Sequence, residues 1–203
     1  MPELTALEQR IIEMAKEDFI TKGIIKTEMR DLAARLGISR SSLYRHFPNS
    51  MSIAFYVLND ALTELMTIEE EISDDQNGYE QFSQYMYKAV DKLCANLDLV
   101  RFIREFDTLY NLNSDHDKAP EEYYATLSDY SRYQFIKYYQ KGVADGSIKP
   151  CENPVHTALT FYWVAQSMTE HIMLREATYQ HEHGGAKEFV VDAIKIMLEG
   201  IKN

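Results

Sequence analysis

Arg40, Ser41, Ser42, Tyr44, Arg45 and His46 crowd into one short stretch with no carboxylate among them. A guanidinium can bond guanine bidentately, short serines let a backbone come close, and a phenol or imidazole can donate to phosphate oxygens without reading sequence. That is the chemistry of gripping a DNA duplex. On a helix capped by Ser39, with Leu43 and Phe47 turned inward, Arg40, Ser41 and Ser42 occupy the first turns and fall nearest the base edges. Tyr44 and His46 fall toward phosphates, and Arg45 adds positive charge. Backbone amides at Thr27 and Glu28, and again at Asn49 and Ser50, begin two flanking helices and can also meet phosphate oxygens.

A set of helices must hold such a surface. Ala33, Gly37 and Leu43 have helix-turn-helix spacing: a small residue where two helices touch, a glycine for the turn, and an apolar anchor under the second helix. Leu4, Ile11, Ile12, Ala15 and Phe19 give a first helix its apolar stripe, ending at Gly23. Thr27 is expected to cap a second helix that buries Met29, Leu32, Ala33 and Leu36. Pro48, Asn49 and Ser50 break the chain before a fourth helix with Ile53, Val57, Ala61 and Leu65. A turn cluster at 73–78 suggests a boundary. Helical patterns follow near 79–95, 97–112, 120–145, 153–178 and 186–201, with breaks at 113–120, before Pro150 and at 181–185. No segment alternates with period two. The expected fold is all-α, with a three-helix reading head over 1–50, a connecting helix over about 50–72 and a larger helical domain over 73–203.

The chain has 203 residues, 45% of them hydrophobic and 26% charged, enough for a sizeable core. No apolar run approaches a membrane span, and no signal-peptide pattern opens the sequence. Cys94 and Cys151 read as small buried hydrophobes, which suits a reducing cytoplasm. The net charge of −11 is unevenly divided: residues 1–48 hold 8 Lys and Arg against 7 Asp and Glu, leaving 13 against 25 for residues 49–203. No acid lies between Leu32 and Asp60. Because the Debye length is about 8 Å at physiological salt, remote carboxylates do not veto a local DNA contact. They do predict weak non-specific affinity.

The segments IIEMAKEDFITKGI, TEMRDLAARLGIS and SSLYRHFPN together resemble the N-terminal domain of TetR-type transcriptional regulators over roughly residues 10–60. The shared pattern runs through Ala15, Phe19 and Gly23, a Thr cap, Asp31-Leu32-Ala33, Gly37-Ile38-Ser39 and the Leu43-to-Phe47 ending. The resemblance implies an all-helical homodimer. It also implies a small DNA-binding domain and a larger domain that takes a small-molecule effector and dimerises through its last two helices. One departure stands out. Where the family commonly has Ser-Lys-Glu, this chain has Asn49, Ser50 and Met51, so a phosphate-binding ammonium is missing. One fewer counterion is then released per subunit, and Ser50→Lys is expected to steepen the salt dependence of DNA binding.

Twelve of the fourteen tyrosines lie after residue 78. They can be packing residues, or they can wall a pocket for a flat organic effector. The pocket candidates are Tyr85, Phe106, Tyr110, Tyr130, Gln134, Trp163 and Gln166. Residues 159–168 are apolar almost all round, and the last helix carries Val190, Ile194, Met197 and Ile201 on one stripe and Phe189, Ala193 and Ile196 on a second edge. Helices with two apolar faces bury both. A two-fold four-helix interface through Leu159, Tyr162, Trp163, Val190, Ile194, Met197 and Ile201 is therefore expected, although one monomer's core could also absorb both faces. The loops with Asp115-His116-Asp117 and His181-Glu182-His183 read as solvated surface rather than metal sites. No phosphate loop, nucleophile elbow or HExxH motif calls for an enzyme or a cofactor. The expected partners are double-stranded DNA, an effector of unknown identity and a second copy of the chain, with no membrane. The competing reading is a helical scaffold whose helix-turn-helix docks another protein.

Overall fold

The computed structural model describes residues 4–68, 72–112, 133–173, 175–183 and 185–203. Among them the chain forms ten helices: α1 Ala6–Lys22, α2 Met29–Leu36, α3 Arg40–His46, α4 Ser50–Met66, α5 Gly78–Ala95, α6 Leu97–Leu112, α7 Gln134–Asp145, α8 Pro154–Met173, α9 Glu176–His183 and α10 Ala186–Ile201. No β-strand occurs among the described residues; one isolated bridge joins Ile148 to Lys202. The all-α expectation holds. The helical pattern read over 153–178 is interrupted: α8 ends at Met173, and a separate short helix covers much of the loop expected at 181–185.

Two compact units divide the chain. The first takes residues up to Glu64 together with α6 from Asp98, and the second takes Leu65–Leu97 and the chain from Asp129 to its end. The division differs from a single boundary at 73–78, because α6 supplies core rings to the first unit. Phe102 stacks on Phe19 at 6.2 Å, and Phe106 meets Phe55 edge-on at 4.9 Å. Around them Ile11, Ala15, Leu32, Leu43, Ile53 and Val57 are fully or almost fully buried.

Local signals explain the ends of the first helices. Thr5 and Glu8 form a reciprocal capping box at the start of α1. Gly37 adopts φ +69 after α2 and donates to Ala33 and Ala34, a turn that β-carbon-bearing residues resist. Ser39 Oγ accepts the Ser42 N–H at 3.1 Å and caps α3. Among the described residues of this unit, Asp18 is the buried charge. Burial alone would raise its pKa, but bonds from Lys22 and Arg35 more than offset that and hold it below the ordinary carboxylate value. Arg35 is thereby tied to the core side of the unit rather than left free.

In the second unit α5 packs against α7, α8 and α10, and α8 packs against α10. Its core includes Phe82, Tyr85, Phe135, Tyr139, Phe161, Tyr162, Val190 and Ile194. At the crossing of α5 and α7 a β-carbon on Gly78 would sit 1.9 Å from the Gly142 nitrogen, so two glycines allow backbone-to-backbone approach. Asp145 then accepts the Gly78 N–H at 2.8 Å, and Ser147 Oγ accepts the Tyr79 N–H at 3.0 Å. The end of α7 thus caps the start of α5.

Candidate nucleic-acid interface

Leu43 is fully buried and Phe47 nearly so, which fixes the rotation of α3. Arg40, Ser41, Tyr44 and Arg45 are then exposed, and Ser42 is half-buried. Positions 40 and 44, and 41 and 45, form two adjacent rows one turn long on the outward face. Arg45 reaches Ser42 Oγ at 3.4 Å, and Ser39 Oγ lies 3.0 Å from Ser41 Oγ. Among the described residues neither Arg40 nor Arg45 has a carboxylate partner. Two guanidiniums, two hydroxyls and a phenol thus share one surface in a stretch without acids.

The flanks differ from expectation at three positions. Thr27 does not cap α2: its hydroxyl donates to the Gly23 carbonyl at 2.8 Å, and the residue is buried. Glu28 occupies the cap position without a side-chain bond to the helix. Its carboxylate pairs instead with Arg30 at 3.1 Å, and Arg30 also meets Asp31 at 3.1 Å, so one exposed guanidinium offsets two acids at the start of α2. His46 is half-buried, with Nδ1 3.0 Å from Glu8 Oε1, and a phosphate would have to compete for it. Asn49 is exposed, but its Oδ1 accepts the Ser52 N–H at 2.9 Å and caps α4; Ser50 follows, half-buried, as the first residue of that helix.

Of the effector candidates, Tyr85 and Gln134 come together in the second unit. With Met66, Thr67, Ile72 and Tyr138 they line a cavity of about 210 Å³. Phe106 and Tyr110 belong instead to the first unit, stacked on each other at 6.0 Å and meeting Phe55 edge-on. Trp163 and Gln166 do not line the cavity: Trp163 is on the edge of α8, 37% exposed, and Gln166 is buried. Tyr130 lies outside the described residues, as do Asp115, His116 and Asp117. No cluster of three or more potential metal ligands occurs among the described residues. Cys94 and Cys151 are both free thiols, and burial pushes that of Cys94 up. Over the described residues, no helix is long and apolar enough to cross a membrane.

Residues 11–52 match the family described as bacterial regulatory proteins, tetR family. This stretch, about a fifth of the chain, carries the similarity to that family. An HTH-type transcriptional regulator of Staphylococcus aureus (strain bovine RF122 / ET3-1) is 37% identical over 67 residues, which are 33% of this chain and 36% of the relative. A second such regulator, from S. aureus strain USA300, is 36% identical over the same length. The chain therefore matches about a third of the length of these relatives. The fold similarity extends further. A bacterial regulatory protein in the tetR family from Rhodococcus RHA1 has a TM-score of 0.63 at 16% identity, covering 98% of both chains. A TetR/AcrR-family regulator from Thermobifida fusca YX-ER1 has a TM-score of 0.63 at 20% identity, covering 98% of this chain and 100% of the other.

The dimer candidates separate by burial. Tyr162, Val190 and Ile194 are fully buried within one chain, against the helices of their own unit, so they cannot form a surface for a second copy. Leu159, Met197 and Ile201 are half-buried, and Trp163 is exposed. The outward edge of α10 is the one with Phe189, 37% exposed, and Ile196, 73% exposed. Along it Phe189, Ala193, Ile196 and Gly200 follow helical spacing, and a β-carbon on Gly200 would touch nothing within 4 Å. The two stripes were visible in the sequence; which one the monomer keeps was not. Sequence reasoning also missed Glu105. Its carboxylate accepts the N–H groups of Ile24 and Ile25 at 3.0 and 3.2 Å, across about eighty residues of chain, and nothing local in the sequence signals that pairing.

Proposed function

We propose that this chain is a DNA-binding transcription regulator, a repressor that reads a palindromic operator as a homodimer and leaves it when a small molecule binds the larger domain. The supporting observation is the exposed Arg40, Ser41, Tyr44 and Arg45 face of α3, anchored from behind by Leu43 and Phe47. In this reading residues 1–50 form the reading head, α4 connects, and residues from 73 onward bind effector and dimerise. α3 enters the major groove, with Arg40, Ser41 and Ser42 at base edges, Tyr44 and Arg45 toward the backbone, and Asn49 and Ser50 at a phosphate. Each half-site is met by one subunit, and the effector changes the distance between the two heads.

A ligand shifts such an equilibrium only by its difference in affinity for the two states, typically about 1–3 kcal/mol. The match to the tetR family over residues 11–52 and the similarity to HTH-type regulators favour DNA over a docked protein as the partner of α3. Selection from a random duplex pool followed by gel-shift competition tests the reading. A regulator retains a short palindrome against excess random DNA. A chain that retains no sequence and sediments as a monomer is not one, and the scaffold reading would replace it.

A further inference from the structure

The cavity of the second unit has a chemistry of its own. Tyr85, Tyr133, Tyr138 and Gln134 line it together with Met66 and Thr67. Among the described residues that line it, none carries a charge at neutral pH. Its aromatic wall is continuous with a stack: Phe135 packs on Tyr85 at 5.3 Å, on Tyr133 at 6.0 Å and on Tyr162 at 5.7 Å. Burial pushes the Tyr85 and Tyr162 hydroxyls well up, so both stay neutral phenols. The Tyr85 hydroxyl donates to the Met66 carbonyl at 2.5 Å, while the fully buried Tyr162 hydroxyl has no hydrogen-bond partner among the described residues.

Size and polarity then narrow what can enter. A volume of about 210 Å³ exceeds the roughly 150 Å³ that holds a benzene-sized guest and falls short of the roughly 300 Å³ at the small end of drug-sized sites. That volume matches a single substituted ring more closely than a substituted two-ring system. None of these lining side chains offers a counter-charge, and the Lys92 ammonium beside them is engaged by the Thr67 carbonyl, which disfavours carboxylates and ammoniums. Ring walls favour a flat guest packed edge-to-face, and the Gln134 amide and the Tyr138 hydroxyl can bond a polar substituent.

We propose that this cavity takes an uncharged, single-ring aromatic molecule bearing a hydroxyl, amide or carbonyl group. The proposal rests on the ligand-responsive reading above and names its effector class. Calorimetry on the full chain tests it with 4-hydroxybenzamide, 4-hydroxyacetophenone and phenol as neutral probes, 4-hydroxybenzoate as the charged near-isostere and 6-hydroxy-2-naphthamide as the two-ring analogue. At least one neutral single-ring probe should bind about tenfold or more tighter than the benzoate and the naphthamide, since an uncompensated charge or an excluded ring is worth at least that. Gln134→Leu, at an exposed position, should weaken the amide about tenfold while leaving the thermal midpoint unchanged. Equal or tighter binding of the benzoate or the naphthamide overturns the class, as does absence of heat from every neutral probe at millimolar concentration. A gel shift with the selected palindrome separates the two questions. If a neutral probe binds but the protein stays on DNA, the cavity's preference stands and release by effector falls. If the protein responds to none of the probes yet holds its palindrome, the DNA-binding reading stands and the effector class falls.

Discussion

Arg40 and Tyr44 stand one turn apart on α3, and in the proposed reading a duplex uses them differently. A guanidinium at a base edge discriminates, whereas a phenol at a phosphate only adds affinity. Arg40→Ala should therefore relax selectivity at one operator position by about 1–3 kcal/mol, and Tyr44→Ala should weaken all sequences alike. Competition binding over all single-base variants of the selected site decides this, and matching profiles for the two mutants would show the sorting to be wrong. Glu8 acts on the same helix from behind. The Thr5 backbone N–H first, and His46 second, hold its carboxyl below the ordinary value. A depressed carboxylate contributes stability above its unfolded pKa of about 4.3 and loses it as pH falls through the folded value. In urea titrations Glu8→Gln should unfold earlier than the parent at pH 6, and the gap should close below about pH 4. A gap that stays constant down to pH 3 would mean that the ionised carboxylate contributes nothing.

At the scale of elements, the turn between α1 and α2 depends on a helix far along the chain. Gly23 has φ +92 and ψ 158, a region few residues other than glycine adopt, and a β-carbon there would lie 2.9 Å from a Glu105 oxygen. Gly23→Ala should cost about 1–3 kcal/mol of stability through strain. Glu105→Gln, which leaves one of two amides facing an NH2 group, should cost about 1–3 kcal/mol. Because both changes disturb one turn, the double mutant should fall short of their sum in chemical denaturation. Simple additivity would show that the glycine and the carboxylate act separately. This turn also marks where sequence stops being informative. The stripes of α1 and α2, the Gly37 turn and the Ser39 cap depend on residues within one or two turns of one another, so spacing alone reveals them. Thr27 looked like a cap because Thr and Glu28 are adjacent and only one can fill the position. The His46 pairing with Glu8 and the Glu105 clasp join residues distant in sequence, and no local pattern encodes them. In the cavity, tyrosine enrichment pointed to Tyr85, but only packing could separate it from Phe106 and Tyr110.

For the whole molecule, function depends on how charge and apolar surface are shared out. The acid excess lies after residue 48 rather than in α3, and in the proposed reading operator affinity comes from pairing two weak heads. If the chain pairs as proposed, the outward edge of α10 is the surface to test. Ile196 is 73% exposed and Phe189 and Trp163 are each 37% exposed, a set of large apolar side chains that a second copy could cover. Ile196→Asp would place a carboxylate in that contact and should yield a monomer by analytical ultracentrifugation, with a loss of operator affinity far greater than any change in fold stability. Ile194→Val, on the inward stripe, is the matched control. It should cost about 0.5–1.5 kcal/mol of stability and leave the dimer intact, because Ile194 is already enclosed by its own chain. If Ile196→Asp still sediments as a dimer, the two-fold contact uses another surface. If Ile194→Val alone dissociates, the stripe that the isolated chain buries must open when two chains meet.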